Sequence, residues 1–144
     1  MTSPDRIILV VLAGWLVQPV CASDANSVLE DHASSLLAVQ LSSEVANELR
    51  EEFLEHGKSL EDADALVFHV VDDAADCAVA QFRANKMPQI QSYLDLLVRN
   101  EEMSSVLGAL DKIYETSELD EMQSEIARVV QECLASSKVA IAAS

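Results

Sequence analysis

The sequence is poor in residues that break helices and in aromatic residues. Its 144 residues include three glycines and three prolines, and aromatic residues make up 4% of the chain. So few helix breakers, together with abundant alanine, leucine, glutamate, valine and serine, predict an all-α structure. Alternating strand-like runs, repeats and low-complexity tracts are also missing. We therefore expect a small antiparallel helical bundle of about five to six helices.

Sequence motifs that define several enzyme classes are missing as well. The chain has no glycine-rich phosphate loop, no serine nucleophile elbow, no EF-hand loop and no His-Glu-x-x-His motif. Clustered carboxylates are present, but glycosidases that use paired carboxylates also need a cleft and usually aromatic sugar platforms. The single tryptophan, Trp15, lies in a segment that we expect to be removed. We therefore expect no catalytic residues and no enzyme activity.

Basic residues are scarce. Nine lysines and arginines stand against 25 aspartates and glutamates, which gives a formal net charge of -16. A surface with this charge repels nucleic acid and anionic lipid headgroups. It favours a cationic protein as partner, and it also helps a secreted protein to stay in solution. No cofactor is indicated, and the sequence does not predict an oligomeric state.

Long apolar runs are limited to one, at residues 7–17 (IILVVLAGWLV). One arginine precedes this run, and the small residues Cys21, Ala22 and Ser23 follow it, which is the order of a secretory signal peptide. We expect cleavage after Ala22, with an uncleaved anchor, a buried helix or a lipid anchor on Cys21 as alternatives. The run is too short to span a bilayer, which needs roughly 20 residues. The prediction is a periplasmic or secreted protein with no stable membrane insertion after cleavage.

Residues 23–144 are predicted to form a single helical domain, and their apolar periodicity indicates six helical segments. The first covers about residues 27–41, and Ser42 and Ser43 are placed as caps of a second. Gly57 is expected to end the second segment in the left-handed conformation. Ser59 is expected to cap a third helix over about residues 60–85.

The second half of the domain begins at Pro88, which is predicted to open the fourth helix. The apolar face changes direction near Arg99 and Asn100, so that a fourth and a fifth helix are expected rather than one. Ser117 is placed as the cap of a sixth. Residues 137–144 are expected to form a frayed tail. This set of helices should form one core, and we expect the five aromatic residues outside the signal to contribute to it: Phe53, Phe68, Phe82, Tyr93 and Tyr114.

Two cysteines remain after signal cleavage, Cys77 on the third helix and Cys133 on the sixth. Each lies on the apolar face of its helix, so the two can meet in the core. In an oxidising compartment such a pair usually forms a disulfide, and we predict one here. Two unpaired buried thiols are the alternative. A reactive thiol is disfavoured because Asp76 and the acids one turn back would raise the pKa of Cys77.

Acidic residues and one histidine share the polar face of the third helix. Asp62, Asp72, Asp73 and Asp76 are predicted to form an acidic patch that binds a partner. His69 lies one turn before Asp73, and this pair is a weak alternative metal site. A solvated acidic face with no specific role is a further interpretation, and a site built from His32, His56 and His69 is another.

Two functions follow from these patterns. The first is protein–protein binding, in which a small acidic helical protein docks a cationic protein, as an inhibitor, an immunity protein or a chaperone-like factor would. The second is a metal- or pH-responsive envelope protein that uses His69 and the neighbouring acids. A groove that binds a small molecule is a third possibility, and the sequence neither supports nor excludes it.

Overall fold

The computed structural model describes the backbone of residues 18–143 and the side chains of residues 29–141. The apolar run at residues 7–17, which carries the signal-peptide prediction, lies outside the described residues. The chain forms two units, residues 1–30 and residues 31–144. In the first unit, residues 18–30 are helical. The helical bundle and the sites described below belong to the second unit.

Five α-helices make up the described part of the chain, and that part contains no strand. They are α1 (Gln18–Glu55), α2 (Leu60–Ala84), α3 (Pro88–Arg99), α4 (Met103–Ile113) and α5 (Thr116–Ala143). The predicted all-α helical bundle is confirmed. Within residues 18–143, no helix is both long enough and apolar enough to cross a membrane.

Several helix ends follow the local signals that predicted them. The hydroxyl of Ser59 accepts a hydrogen bond from the backbone N–H of Asp62 at 3.1 Å, which caps α2. Gly57 has a φ of 87°, the left-handed conformation that glycine adopts without steric strain. Pro88 lies in the first turn of α3, where a backbone N–H is not needed for a helical hydrogen bond. Residues 100–102 separate α3 from α4, at the predicted change of phase.

Two segments differ from the sequence prediction. No helix end occurs at Ser42 and Ser43, and α1 runs through them. The hydroxyl of Ser43 donates to the backbone carbonyl of Gln40 at 2.7 Å, so it is satisfied inside the helix instead of capping a new one. At the other end of the chain, α5 continues to Ala143, so residues 137–143 are helical rather than frayed. Ser137 is buried there and donates to the carbonyl of Val70 at 3.1 Å.

The long helices run in alternating directions around α2. Arg50 contacts Asp64 close to the turn between α1 and α2, and the earlier residue Val39 lines a groove with the later residue Asp72, so these two helices are antiparallel. The α2 and α5 helices are also antiparallel, because Val70 lies beside Ser137 and the earlier part of α5 lies beside the later part of α2. The short α3–α4 pair returns the chain, so that α5 runs in the same direction as α1.

The core lies between these helices and is dominated by small and medium apolar side chains. Four fully buried alanines on α2 allow its neighbours to approach closely: Ala63, Ala74, Ala75 and Ala78. Only some of the aromatic residues that were expected in the core are buried there. Phe82 and Tyr93 are buried and pack edge to face at a centroid distance of 5.6 Å. Phe68, in contrast, is 68% exposed, so its assignment to the core was wrong.

Candidate functional site

A disulfide joins Cys77 on α2 to Cys133 on α5, with a Cα–Cα distance of 5.8 Å. The predicted pairing is confirmed. Cys133 is buried and Cys77 is partly exposed. The side-chain amide of Gln81 lies over the bond, with its nitrogen 3.5 Å from the sulfur of Cys133. Since both sulfurs are committed to the bond, neither is a free nucleophile in this structure.

The four aspartates of the predicted acidic patch are all exposed on α2. Asp72, Asp73 and Asp76 lie within little more than one helical turn and form a local cluster. Asp62 lies fourteen positions before Asp76, which corresponds to about 21 Å along a helix. It belongs to the first turn of α2, where the helix dipole favours a negative charge. The structure therefore brings together three of the four predicted residues and leaves Asp62 apart.

An exposed phenylalanine lies next to this cluster. Phe68 precedes Asp72 by four residues, so the two side chains are neighbours on the helix surface. Val39 on α1 is 69% exposed and lines the same small groove as Phe68. This groove, of about 180 Å³, lies between α1 and α2, and Asp72 is part of its wall. We call the surface formed by Val39, Phe68, Asp72, Asp73 and Asp76 the α2 docking face.

Sequence reasoning missed the apolar part of the α2 docking face, although a signal was present. The buried stripe of α2 runs through Val67, Val70, Val71 and Ala74. Phe68 falls outside that stripe by helical periodicity, since positions four residues before and after it are Asp64 and Asp72. An aromatic residue between two acids in the same helical row is a better candidate for an exposed position than for a core position.

The carboxylates of the α2 docking face have no ion-pair partner within the described part of the chain. The arginines of this part with described ion pairs contact other acids. Arg50 pairs with Asp64 at 2.6 Å, and Arg99 pairs with Asp95. Arg128 pairs with Glu125 at 2.7 Å and with Glu132 at 2.9 Å. The negative charge of the docking face is therefore not neutralised by these neighbours.

Glu125 and Arg128 form the most strongly perturbed acid–base pair in the described residues. The hydrogen bond from Arg128, followed by one from the Asn85 amide at 2.6 Å, lowers the pKa of Glu125 from 4.5 to about 2. The same contacts with Glu125 and Glu132 raise the pKa of Arg128 above its ordinary value. The hydrogen bond from Asn85 to Glu125 ties the end of α2 to α5, and the Glu125–Arg128 pair lies within α5. Both lie away from the α2 docking face, so we assign them a structural role.

The alternative metal site at His69 and Asp73 gains no support. His69 is exposed, and its ring lies edge-on to Phe68 at a centroid distance of 6.0 Å. Within the described residues, no group of three or more histidine, cysteine, aspartate or glutamate side chains is placed to hold a metal ion.

The three histidines also lie in different places, which argues against a shared site. His32 donates from Nε2 to the carbonyl of Asn100 at 2.6 Å, and His56 donates from Nδ1 to the carbonyl of Glu52 at 2.8 Å. The donor assignments follow because a carbonyl oxygen only accepts.

Comparisons of the chain with protein-family models, with curated proteins and with solved structures find no match. The sequence and the structure place the protein in a general class, that of small acidic helical bundles with one disulfide. Its distinguishing surface feature is an exposed aromatic residue beside a cluster of aspartates.

Proposed function

We propose that this protein acts by binding a cationic protein through the α2 docking face, in the manner of an inhibitor, an immunity protein or a chaperone-like factor. The observation that carries the proposal is the position of Phe68. This side chain is 68% exposed and lies beside Asp72, on a surface whose carboxylates have no described partner. No catalytic role is assigned to any residue.

The two components of the docking face contribute in different ways. Exposed aromatic side chains are typical anchors of protein interfaces and often supply a large share of the binding energy. The groove beside Phe68 offers space for an apolar side chain of the partner. The aspartates attract a basic partner from a distance and orient it, an effect that salt screens. Together they favour a basic protein that presents an apolar residue among lysines or arginines.

The proposed location is the periplasm or the extracellular space. The Cys77–Cys133 disulfide supports it, because such bonds persist mainly in oxidising compartments. The apolar run at residues 7–17, followed by small residues, is the second support.

Affinity capture from the cell envelope of the source organism, at low and at moderate salt, tests the proposal. The bound proteins are identified by mass spectrometry. We expect one stoichiometric basic partner that is lost as salt rises. The triple variant Asp72→Asn, Asp73→Asn, Asp76→Asn should lose this partner, and Phe68→Ala should weaken its binding at low salt, where the unsubstituted protein retains it.

The matched control removes the same amount of charge elsewhere. Glu101→Gln, Glu102→Gln and Asp111→Asn change three exposed acids that lie on the α3–α4 part of the chain. This variant should retain the partner. Equal loss in the two triple variants would show that overall charge, and not the docking face, is responsible. Absence of any basic partner at either salt concentration would contradict the proposal.

A further inference from the structure

Two of the four lysines of this acidic chain line one cavity. The cavity has a volume of about 550 Å³ and lies where α1 ends, α2 begins and α5 ends. Its apolar walls include Phe53, Leu66 and Val139. The volume falls within the range of about 300–1,000 Å³ that is usual for small-molecule sites.

The charged residues of this cavity are unusual for a chain with a net charge of -16. The sequence has four lysines, and two of them, Lys58 and Lys138, line the cavity. His56 lines it as well, whereas Glu52 is the single acid among its described lining residues. Apolar walls beside two ammonium groups are complementary to a molecule with an apolar tail and one negative headgroup.

We propose that this cavity is a binding site for a small carboxylate amphiphile, that is, a ligand of the fatty-acid class. The apolar tail lies against Phe53, Leu66 and Val139. The carboxylate lies at the rim, between the ammonium groups of Lys58 and Lys138. This assignment is independent of the α2 docking face, which is formed by other residues.

The hydrogen bonds at the rim agree with such a headgroup. The ammonium nitrogen of Lys138 lies 3.4 Å from a carboxylate oxygen of Glu52, so Glu52 occupies the type of position that a ligand carboxylate would take. His56 uses Nδ1 to donate to the carbonyl of Glu52, which leaves Nε2 as the ring nitrogen available to a ligand. Lys58 has no ion-pair partner among the described residues. Replacing the competing Glu52 should therefore strengthen binding.

A second cavity of the bundle provides a comparison. It has a volume of about 410 Å³ and apolar walls that include Leu41, Met103 and Met122. Its described lining residues include the acid Glu44 and no lysine, arginine or histidine. A carboxylate would meet repulsion there instead of a cation. Both cavities have apolar walls, but only the first has lysines at its rim. Comparing ligand binding at the two cavities therefore shows how much of the affinity depends on the lysines.

Isothermal titration calorimetry of the purified protein with dodecanoate, below its critical micelle concentration, tests the proposal. Dodecyltrimethylammonium and dodecanol serve as probes with the same tail and a different headgroup. We expect dodecanoate to bind at least tenfold more tightly than either. Methyl NMR shifts should appear at Leu66 and Val139, and not at Met103 and Met122 of the second cavity.

Charge variants give opposite expected changes. Lys58→Gln with Lys138→Gln should weaken dodecanoate binding about tenfold, as expected for the loss of two partly exposed ion pairs. Glu52→Gln should strengthen it about two- to threefold, because Lys138 loses its competing partner. The control Lys86→Gln with Lys112→Gln removes the two lysines outside the cavity and should change the affinity less than twofold.

A matched pair of cavity-filling variants completes the test. Ala135 lines the proposed site and Ala127 lines the second cavity, and both are exposed positions on α5. Ala135→Phe should abolish binding, whereas Ala127→Phe should not affect it. The proposal is overturned if dodecanoate fails to bind, if the three probes bind equally well, if the shifts fall outside the site, or if the lysine pairs behave alike.

Discussion

Reduction of the Cys77–Cys133 disulfide should remove a large part of the stability of this protein. The bond links positions 56 residues apart in the sequence. In the chain-entropy model, a loop of this length restricts the unfolded chain by about 14 cal/mol/K, which corresponds to about 4 kcal/mol at 25 °C. Net stabilities of single domains are about 5–15 kcal/mol, so this loss is a substantial fraction.

Two properties of the chain make the entropic estimate applicable. The net charge of -16 causes self-repulsion that keeps the unfolded chain expanded, so little residual structure replaces the constraint. The bond also joins α2 and α5, which pack against each other through buried side chains such as Val70 and Ser137. These contacts remain after reduction, so we expect the folded state to keep its architecture while the unfolded state gains freedom.

Urea denaturation followed by far-ultraviolet circular dichroism, with and without reductant, measures the effect. We expect a loss of about 4 kcal/mol and a steeper dependence on urea, because the reduced unfolded chain exposes more surface. The double variant Cys77→Ala, Cys133→Ala should match the reduced protein and should not respond to reductant. A stability change below about 1 kcal/mol would refute the reasoning from loop closure.

Three further predictions concern positions away from the disulfide. Phe82 is fully buried against Tyr93, so Phe82→Ala should lower the free energy of unfolding by about 3–5 kcal/mol in urea titrations. Gly57→Ala should lower it by about 1–2 kcal/mol, because alanine is strained at a φ of 87°, and an equal stability would contradict this. Because the pKa of Glu125 is depressed to about 2, its contribution is present above pH 4.5 and is lost as the pH falls through about 2. Thermal melts of Glu125→Gln should therefore differ from the unsubstituted protein at pH 6 and converge with it near pH 2.

Local signals predicted much of the architecture because they act within a few residues. The cap at Ser59, the left-handed turn at Gly57 and the helix start at Pro88 each depend on short-range sterics and hydrogen bonds. The disulfide was predictable because both cysteines lie on apolar helix faces. Ser42 and Ser43 misled the prediction, since a serine inside a helix can bond to the preceding turn as readily as it can cap a new helix.

The candidate sites were predicted less completely. The acids of α2 were visible in the sequence, and the position of Phe68 between Asp64 and Asp72 indicated an exposed side chain. The groove that Phe68 forms with Val39 depends on how α1 and α2 pack, and this is a tertiary property. The cavity beside Lys58 and Lys138 was not predicted at all. These two lysines are eighty positions apart in the sequence, and they become neighbours of one cavity only because α5 runs back to the end of α1.

The placement of Cys77 directly after Asp76 has a consequence for recognition. The Cys77–Cys133 disulfide joins α2, the helix that carries the α2 docking face, covalently to α5. The bond lies one residue away from the aspartate cluster. A partner that binds this face meets side chains on a backbone that is already ordered, so less conformational entropy is lost on association.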